Sequence, residues 1–563
     1  MMADKIKVFA LGGLDEDGRD CYVIEINNDI FVIDAGTTLP DKTIPGVDCL
    51  LPNFDYIVKN KDRVKAYIMT HGHDESIGAI RHFYKYAPAP VYCTHTTMTI
   101  MEGQLAIYDQ TKLKYEFHIV KPSDDVLIAG RRVRFFQTCH NAANSCGIAI
   151  STTQGNIIFT GDFIINFATE ETNYQFDLSA ASELAKEETL LLMAESKSAD
   201  KNGYCSPKHR INNLVEKYFK LNKRIFVIAY WQNMYRIREI VRLVKKYNKK
   251  IYCYDNYTHI IMNQIVAATG TGSLTASDFV SKEDLLRVRK NDLLILMVGQ
   301  SDDIFNETMA LVKGVNSDRR IKLEPDDIFM DVAIPRASFE TIATRAVDAV
   351  YRTGCEVVWL KNKDATAMHA HEDDIRFVLN LFKPKYYFPV RGNYTRIMDN
   401  AKLAASLGIG LNHMNIFVLD NGMQIIFEEN RRPVILPNEV TGVDISPILV
   451  DGKGVTRFND ELIETRQMMG VDGTVIIAST VSLKEKRIIA GPDCQMRGFV
   501  YMKEAEPLLK SITQIYVEEV NGALLRDQPL DLTKNTIKER IKWFIRRENG
   551  REPFVEPIIL VEE

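Results

Sequence analysis

The sequence predicts a layered α/β fold that is divided among several domains, and three observations support this. Short apolar runs of strand length alternate with amphipathic helical stretches through roughly the first two hundred residues. Near Ser206 the alternation starts again with its own strands and helices, which indicates a nested α/β unit. At 563 residues the chain is long enough for two to four domains, each with its own core.

The domain boundaries follow from where the pattern changes. A first α/β unit is expected over residues 1–205, with buried strands such as "DIFVIDAG", "KAYIMTHGH" and "NIIFTGD". An inserted domain is expected over 206–355, and its two ends should lie close together in space. The strands "EVVWLK" and "PKYYFPVRG" then resume the first unit over 356–440. Residues 441–563 are expected to form a linker and a small α+β domain.

The C-terminal part is predicted from one linker-like segment and one amphipathic helix. The segment "EENRRPVILPNEVTG" has the prolines and charges that are typical of a linker. In "IKERIKWFIRR", the residues Ile537, Ile541, Phe544 and Ile545 fall on one face of a helix, so this face should be buried.

Composition excludes several classes of protein. The N-terminus is charged and has no apolar region typical of a signal peptide, and the longest apolar runs are much shorter than a membrane span. Nine cysteines are scattered without CxxC pairs, which favours reduced thiols in a cytoplasm over a disulfide framework. The formal net charge of -5 does not indicate a nucleic-acid-binding protein, so contacts with phosphates would need local basic surface.

Polar residues collect at the carboxyl ends of the predicted strands. Ligand sites in α/β sheets gather beyond these ends, so the side chains are expected to converge on one cleft. The residues placed in this way are Asp34, His71, His73, His140, Asp162, Glu195 and Arg391. Each of them alone is better explained as a turn residue that makes ordinary hydrogen bonds. An HxH pair after a strand, a later isolated histidine and then "TGD", in that order, is a much more specific pattern.

With these motifs the sequence resembles the metallo-β-lactamase superfamily and, within it, the β-CASP nucleases of the ribonuclease J type. The resemblance runs from "LGGLDEDGRDCYVIE" through "THGH", "TGDF" and "KPKYYFPVRG" to "IIAGPDCQMRGFVY" near the C-terminus. It implies an αββα sandwich, an inserted β-CASP α/β domain and a small α+β C-terminal domain. The ligand that it implies is RNA, with no DNA and no membrane expected as partners.

The resemblance also implies which residues form the site. The family holds two zinc ions that share a bridging hydroxide and a bridging aspartate. By position, the first zinc, or a manganese ion in its place, would be held by His71, His73 and His140, with Asp162 as the bridge. Asp34 would orient a ligand histidine. Glu195 and His369, together with Asp34 and Asp162, are the catalytic candidates that the resemblance implies.

The second metal position departs from the family pattern. Where the family has Asp and His, this chain has Glu75 and Ser76, and where it has a further histidine, the chain has Arg391. Serine is a poor zinc ligand, and arginine has no lone pair to offer and keeps its proton. We therefore expect the second metal to be absent. Our hypothesis is that Arg391 pairs with Asp162 or Glu75, with a solvent-exposed arginine as the alternative.

Other positions of the cleft also differ from the family. His369 is kept, but Met368 replaces a small neighbour and is expected to crowd a bound phosphate. Asp302, Asp303 and Asp331 place acids where the resemblance implies a phosphate path. Basic runs exist elsewhere, but solvated surface explains them, and the RNA-binding residues stay unassigned.

Three functional hypotheses follow. The first is a subunit for rRNA maturation and mRNA decay that has weak or absent catalysis and assembles with an active paralogue, or with itself as a homodimer. The second is an active 5′-to-3′ exoribonuclease or endoribonuclease that uses the single retained metal site. The third, which the β-CASP-like insertion disfavours, is a hydrolase of a small ester or thioester.

Overall fold

The structure of the protein is a computed structural model that describes residues 3–40, 46–108, 110, 112–167, 171–269, 274–452, 454–457, 460–498 and 505–562. The chain divides into two units. The first comprises Met1–Leu39 and Cys49–Ile448, and the second comprises Pro40–Asp48 and Leu449–Glu563.

The N-terminal part of the first unit contains most strands of two large sheets. Its elements are β1 (Ile6–Gly12), β2 (Cys21–Ile26), β3 (Asp29–Ile33), β4 (Cys49–Leu51), α1 (Asp55–Lys59), β5 (Val64–Ile68), α2 (Asp74–Ile77), α3 (Ile80–Phe83), β6 (Val91–Cys93), α4 (His95–Ile107), β7 (Phe117–Ile119), β8 (Asp125–Ile128), β9 (Arg131–Gln137), β10 (Cys146–Thr152), β11 (Gly155–Phe159), α5 (Leu178–Leu184) and β12 (Thr189–Glu195).

The inserted part follows, and the chain then returns to the two large sheets. The inserted elements are α6 (Asn212–Phe219), β13 (Ile225–Tyr230), α7 (Met234–Lys246), β14 (Lys250–Cys253), α8 (Asn256–Thr269), β15 (Leu293–Gly299), α9 (Asp303–Lys313), β16 (Ile328–Asp331), α10 (Glu340–Tyr351) and β17 (Glu356–Trp359). The returning elements are α11 (Glu372–Phe382), β18 (Tyr386–Val390), α12 (Tyr394–Ser406), β19 (Gln424–Phe427), β20 (Val434–Leu436) and α13 (Asn438–Thr441).

The C-terminal elements belong almost entirely to the second unit. They are β21 (Ile448–Asp451), β22 (Gly454–Arg457), α14 (Asp460–Val471), β23 (Thr474–Ser482), β24 (Arg487–Arg497), α15 (Ala505–Leu525), α16 (Leu530–Asn549) and β25 (Phe554–Glu562).

The two large sheets face each other and form the predicted sandwich. One has the strand order β20-β19-β1-β2-β3-β5-β6-β7 and the other the order β18-β12-β11-β10-β9-β8. Apolar side chains from both sheets, such as Ile24, Phe31, Ile148 and Leu191, form one buried core between them. Helices α5, α11 and α12 pack a second core against the outer face of the six-stranded sheet. The αββα fold class is therefore confirmed.

The insertion forms a separate parallel sheet of order β14-β15-β13-β16-β17. Here one boundary that we predicted is wrong. The strand Glu356–Trp359 does not resume the sandwich, because it pairs in parallel with Ile328–Asp331 and so completes the inserted sheet. Helix α10 connects these two strands as the crossover of a βαβ unit. Buried strands of both sheets have the same apolar pattern, so the sequence alone does not separate them.

The segment predicted as a linker belongs to the sandwich in part. Residues Val434–Leu436 form an edge strand that pairs with β19, and the first unit extends to Ile448. In the second unit, β24, β23 and β25 form a sheet whose core side chains pack with α15 and α16. Ile537, Ile541 and Ile545 are buried and Phe544 packs beside them, which confirms the predicted helical face.

Helices long and apolar enough to cross a bilayer do not occur in the part of the chain that the structure describes.

The packing of α16 gives the first prediction. Replacing Ile541, which is 0% exposed, by alanine should lower the free energy of unfolding of the C-terminal unit by about 2–5 kcal/mol, because a cavity is left in its core. The control is Leu532→Ala on the same helix, where the side chain is 57% exposed and the change should stay within about 0.5 kcal/mol. Urea unfolding followed by circular dichroism measures both, and equal effects would contradict the packing.

Candidate metal centre

The side chains singled out from the sequence meet at one edge of the sandwich. His71 and His73 follow β5, His140 follows β9, and Asp162 follows β11. Arg391 follows β18. The carboxyl ends of these strands lie together, which is why residues far apart in the sequence share one site.

Three imidazoles form the centre of the site. The ring centroids of His71 and His73 are 4.6 Å apart, and that of His140 lies 4.9 Å and 5.0 Å from them. Asp162 Oδ2 lies 3.8 Å from His71 Nε2 and 3.7 Å from His140 Nε2. His140 Nε2 and His73 Nδ1 are 3.4 Å apart. The three histidines therefore form one group of potential ligand atoms, and Asp162 joins the group through His71 and His140.

The outward nitrogens of these rings fix their tautomers. His140 Nδ1 lies 2.8 Å from the carbonyl oxygen of Met368, and His73 Nε2 lies 2.7 Å from that of Gln232. A carbonyl oxygen only accepts, so each of these nitrogens carries the proton and donates it. In neutral rings the facing nitrogens, His140 Nε2 and His73 Nδ1, then both present lone pairs to each other. Such an arrangement is stabilised by a cation between them.

His71 is oriented through a different residue. Its Nδ1 lies 2.9 Å from Thr70 Oγ1, which in turn lies 2.8 Å from Asp34 Oδ2. The threonine hydroxyl donates to the carboxylate and accepts from His71, so His71 Nε2 also presents a lone pair. Asp34 thus orients a histidine as expected, but through Thr70. Burial lowers the pKa of both His71 and His140 well below the usual value, so the rings are neutral.

The donor set fits one divalent cation. His71 Nε2 and Asp162 Oδ2 are buried and have no hydrogen-bond partner among the described residues. Three imidazole nitrogens and one carboxylate oxygen are a common set for a tetrahedral zinc ion. Unpartnered buried polar atoms are rare, and a bound metal would satisfy both of these atoms.

Beside this centre, the guanidinium of Arg391 occupies the position to which the family resemblance assigns a second metal ion. Arg391 is 0% exposed. Its Nη1 donates to Asp162 Oδ1 at 2.6 Å, and its Nη2 donates to Asp34 Oδ2 and, at 3.2 Å, to Ser76 Oγ. Its Nε lies 3.4 Å from Asp20 Oδ2. The predicted pairing with Asp162 is confirmed, and the alternative of a solvent-exposed arginine is wrong.

The three carboxyl groups around Arg391 differ in the direction of their pKa shifts. Burial alone would raise the pKa of Asp162, but Arg391 and Lys197 hold it well below the usual value. Burial raises the pKa of Asp34 to about 6 and that of Asp20 to about 8, although Arg391 opposes both shifts. Arg391 and Lys197 together thus keep Asp162 ionised, whereas Arg391 does not fully offset the burial of Asp34 and Asp20.

Glu75 has a partner that the sequence did not suggest. Its Oε1 lies 3.5 Å from Lys197 Nζ and 3.5 Å from His73 Nδ1, so it pairs with Lys197 and not with Arg391. Lys197 Nζ also lies 3.6 Å from Asp162 Oδ2. Lys197 and Asp20 are the site residues that sequence reasoning missed. Lys197 follows β12 as closely as the other candidates follow their strands, and this placement was the available signal.

His369 and Glu195 form a pair at the rim of the site. His369 Nδ1 donates to Glu195 Oε2 at 2.9 Å and lies 3.8 Å from Asp162 Oδ2. The other oxygen of Glu195 accepts from the backbone N–H groups of Phe163 and Ala370. Glu195 is therefore fixed, and it holds His369 toward the cleft. The catalytic roles of these residues stay predictions.

The cleft itself lies between the sandwich and the inserted domain. His73, Glu75 and His369 line one side, and the other side is lined by Tyr230, Gln232, Arg236, Gln300 and Arg336. The expectation that Met368 crowds this space is wrong, because its side chain is buried in the core beside α11 and only its carbonyl faces His140. Asp331 is also buried, and its Oδ1 accepts from the N–H of Ala333.

Two parts of the chain match the models of known protein families. Residues 14–207 match the family model of the metallo-beta-lactamase superfamily, and residues 461–561 match that of the ribonuclease J C-terminal domain. A solved structure of a protein of unknown function from Enterococcus faecalis V583 aligns over 75% of this chain and 100% of its own length. Its TM-score is 0.52 and its identity 18%, so it supports the fold alone.

Similar proteins also align over nearly the whole chain. "Ribonuclease J 2" of Streptococcus pyogenes serotype M3 is 28% identical over 99% of both chains. "Ribonuclease J2" of Bacillus subtilis is 26% identical over 99% of both chains. "Ribonuclease J 2" of Staphylococcus aureus is 26% identical over 98% of both chains.

The electrostatics of Asp20 give a prediction with a definite sign. Its pKa of about 8 in the folded chain lies above the value of about 3.9 in an unfolded chain, so its ionisation destabilises the fold increasingly from about pH 4 to about pH 8. Asp20→Asn removes this ionisation. Its free energy of unfolding, relative to that of the original chain, should rise by about 2 kcal/mol between pH 6 and pH 8. Urea unfolding in the presence of chelator measures this difference.

The matched control is Asp4→Asn. Burial opposes the shift, but hydrogen bonds from Arg131 and the N–H of Thr153 lower the pKa of Asp4 to about 2, so this carboxyl is ionised in both folded and unfolded chains across that pH range. The loss of stability in this variant should therefore be the same at pH 6 and pH 8. A pH-independent effect of Asp20→Asn would contradict the assignment of a raised pKa to Asp20.

Proposed function

Since the chain belongs to the ribonuclease J family, we propose that it is a subunit for RNA processing and decay whose second metal position is closed by Arg391. It would act on RNA in the cytoplasm, in rRNA maturation and mRNA turnover. Its own cleavage of RNA would be weak or absent, and it would support an active ribonuclease J paralogue. The scattered cysteines, none of which is in a disulfide, support the cytoplasmic assignment.

The observation that carries this proposal is the burial of the Arg391 guanidinium among Asp20, Asp34 and Asp162. A unit positive charge about 4 Å from a divalent cation repels it by roughly 8 kcal/mol, which is twice the unit-pair energy of about 4 kcal/mol at an effective dielectric constant near 20. Arginine cannot escape this repulsion by losing its proton. Ser76, moreover, offers only a neutral hydroxyl there, and that hydroxyl already accepts from Arg391.

The first centre supports a role for one metal ion, zinc or manganese. His71, His73, His140 and Asp162 would hold it, and a bound zinc lowers the pKa of its water to about 7. Asp162 uses one oxygen for Arg391 and keeps the other toward the histidines. His369 donates from Nδ1 to Glu195, which leaves its Nε2 to exchange a proton with a ligand in the cleft.

A second candidate function rests on this retained centre. The chain would then be a metal-dependent ribonuclease that works with one metal ion, as an exonuclease or an endonuclease. Arg336 lines the cleft and would contact an RNA phosphate, which favours binding of a substrate there. Cleavage without a second cation would be slow, because a metal pair stabilises both the attacking and the leaving oxygen.

The assembly with a paralogue is supported by what the chain retains. Its C-terminal region matches the ribonuclease J C-terminal domain over residues 461–561, although the second metal position is closed. Retention of this domain beside an altered site is expected of a chain whose role is association. A homodimer is the alternative assembly.

The third prediction concerns metal content and activity. The original chain, purified without chelator, should bind one equivalent of zinc or manganese at most and cleave RNA weakly or not at all. The combined variant Glu75→Asp, Ser76→His and Arg391→His should bind a second equivalent, because two ligands are restored and the cation is removed. Its RNA cleavage should rise at least tenfold but stay incomplete, because Asp302 and Asp303 still differ from the family pattern. Elemental analysis and a labelled-RNA assay measure these quantities.

The matched control for this variant keeps the positive charge. Glu75→Asp and Ser76→His combined with Arg391→Lys should bind no second equivalent, because a cation still occupies the position. Two metal ions in the original chain, at full occupancy, would overturn the proposed function.

The fourth prediction concerns assembly. When the chain is coexpressed with an intact ribonuclease J paralogue from the same organism, the two should copurify in a stable complex. Mass photometry should show a species heavier than the single chain of 64.2 kDa that contains both proteins. If only homo-oligomers or monomers form at micromolar concentrations, the partner-subunit role is wrong and the one-metal nuclease is favoured.

A further inference from the structure

Besides Arg391, a second positively charged side chain, that of Lys197, lies next to the three-histidine centre. Its side chain is only 6% exposed. Its Nζ lies 3.6 Å from Asp162 Oδ2, 3.5 Å from Glu75 Oε1 and 3.6 Å from Asp17 Oδ1. A buried ammonium that is surrounded by three carboxylates is held in place by charge and not by packing alone.

Lys197 and Arg391 are positioned by the same pair of strands. β12 and β18 run in parallel, and Glu195 is in register with Val390 at their ends. Immediately beyond, the N–H of Ser196 donates to the carbonyl oxygen of Arg391. The two cations therefore project from neighbouring strand ends toward the two oxygens of one carboxylate, with Arg391 on Asp162 Oδ1 and Lys197 on Asp162 Oδ2.

These two contacts are not equivalent. Arg391 makes a hydrogen bond of 2.6 Å to Oδ1, whereas no described residue hydrogen-bonds to Oδ2. Oδ2 is the oxygen that faces His71 and His140, and the Lys197 ammonium lies at about the same distance from it as these two rings do. A cation bound by the three histidines would therefore share Oδ2 with Lys197.

We propose that Lys197 is a positioning residue that weakens metal binding at the three-histidine centre by sharing Asp162 Oδ2, and that Lys197 and Arg391 together supply the two positive charges of the missing second metal. This inference rests on the proposed function, because it takes the second position to be closed. It adds to that proposal that the three-histidine centre has a reduced affinity for a metal ion and that Lys197 is the cause. Repulsion between the ammonium and a divalent ion falls off slowly in a buried site, so the effect on affinity should be large.

The test is calorimetric titration of the full-length chain, stripped by chelator, with Mn²⁺ alone. Lys197→Met removes the charge and keeps much of the side-chain volume. We expect it to bind Mn²⁺ at least tenfold more tightly than the original chain. A residue with a merely structural role would weaken binding when replaced, so a gain in affinity separates the two explanations. Unchanged or weaker binding by folded Lys197→Met protein would overturn the inference.

A matched control and a second variant complete the design. Lys402→Met removes an exposed lysine that pairs with Asp399, and its Mn²⁺ affinity should equal that of the original chain. If Lys197→Met fails to fold because Glu75 loses its partner, Lys197→Gln removes the positive charge and keeps an N–H donor for Glu75. This variant should also bind Mn²⁺ at least tenfold more tightly, and unchanged binding would overturn the inference.

The same titration separates this inference from the proposed function. Two Mn²⁺ equivalents in the original chain would show that the second position is open, and both proposals would then be wrong. One equivalent in the original chain, with no gain in Lys197→Met, would leave the closed second position intact and overturn only the role of Lys197.

Discussion

The buried guanidinium of Arg391 is the interaction on which the rest of the site depends. It contacts carboxylates that follow β3 and β11 and one that precedes β2, so a single cation joins loops from both sheets of the sandwich. Arg391 and Asp34 both have φ of 58°, a left-handed conformation that ends each strand abruptly and turns its side chain into the site. Removing one partner of a buried ion pair typically costs about 3–5 kcal/mol, so the acids and the arginine are mutually dependent.

The retained histidine centre depends on parts of the chain that lie outside the first α/β segment. The outward nitrogen of His73 is held by the Gln232 carbonyl of the insertion, and that of His140 by the Met368 carbonyl of the returning segment. The N–H of Tyr235 also donates to the carbonyl oxygen of Asn141, next to His140. The insertion thus orients the rings in addition to lining the cleft. A shift of the insertion relative to the sandwich would change the tautomer and direction of a ligand ring, which couples the geometry of the cleft to the metal centre.

The sequence carried enough information for the class of fold and for much of the site. Polar residues at strand ends converged as expected. Charge and the family resemblance predicted that Arg391 pairs with Asp162 or Glu75, and the structure shows the pairing with Asp162. Asp20 and Lys197 were missed because neither lies in a recognisable motif, and which acid a cation contacts depends on distances that strand patterns do not contain. The strand Glu356–Trp359 was assigned to the wrong sheet, since a buried parallel strand has the same apolar pattern in either sheet. The prediction for Met368 considered only its side chain, whereas its carbonyl oxygen is the atom that contacts His140.

The difference between a tethered cation and a metal ion has a thermodynamic consequence for this fold. A bound metal stabilises a folded chain only in proportion to its concentration and affinity, and it is lost when the metal is scarce. The positive charges of Arg391 and Lys197 are part of the chain and are always present, so the carboxylates around them do not need metal to remain buried. The same charges are fixed in position and cannot bind and exchange water. A metal ion can, and this ability is what makes it useful for hydrolysis. The fixed charges of this site therefore favour a fold whose buried carboxylates are compensated without a metal ion at the position of Arg391.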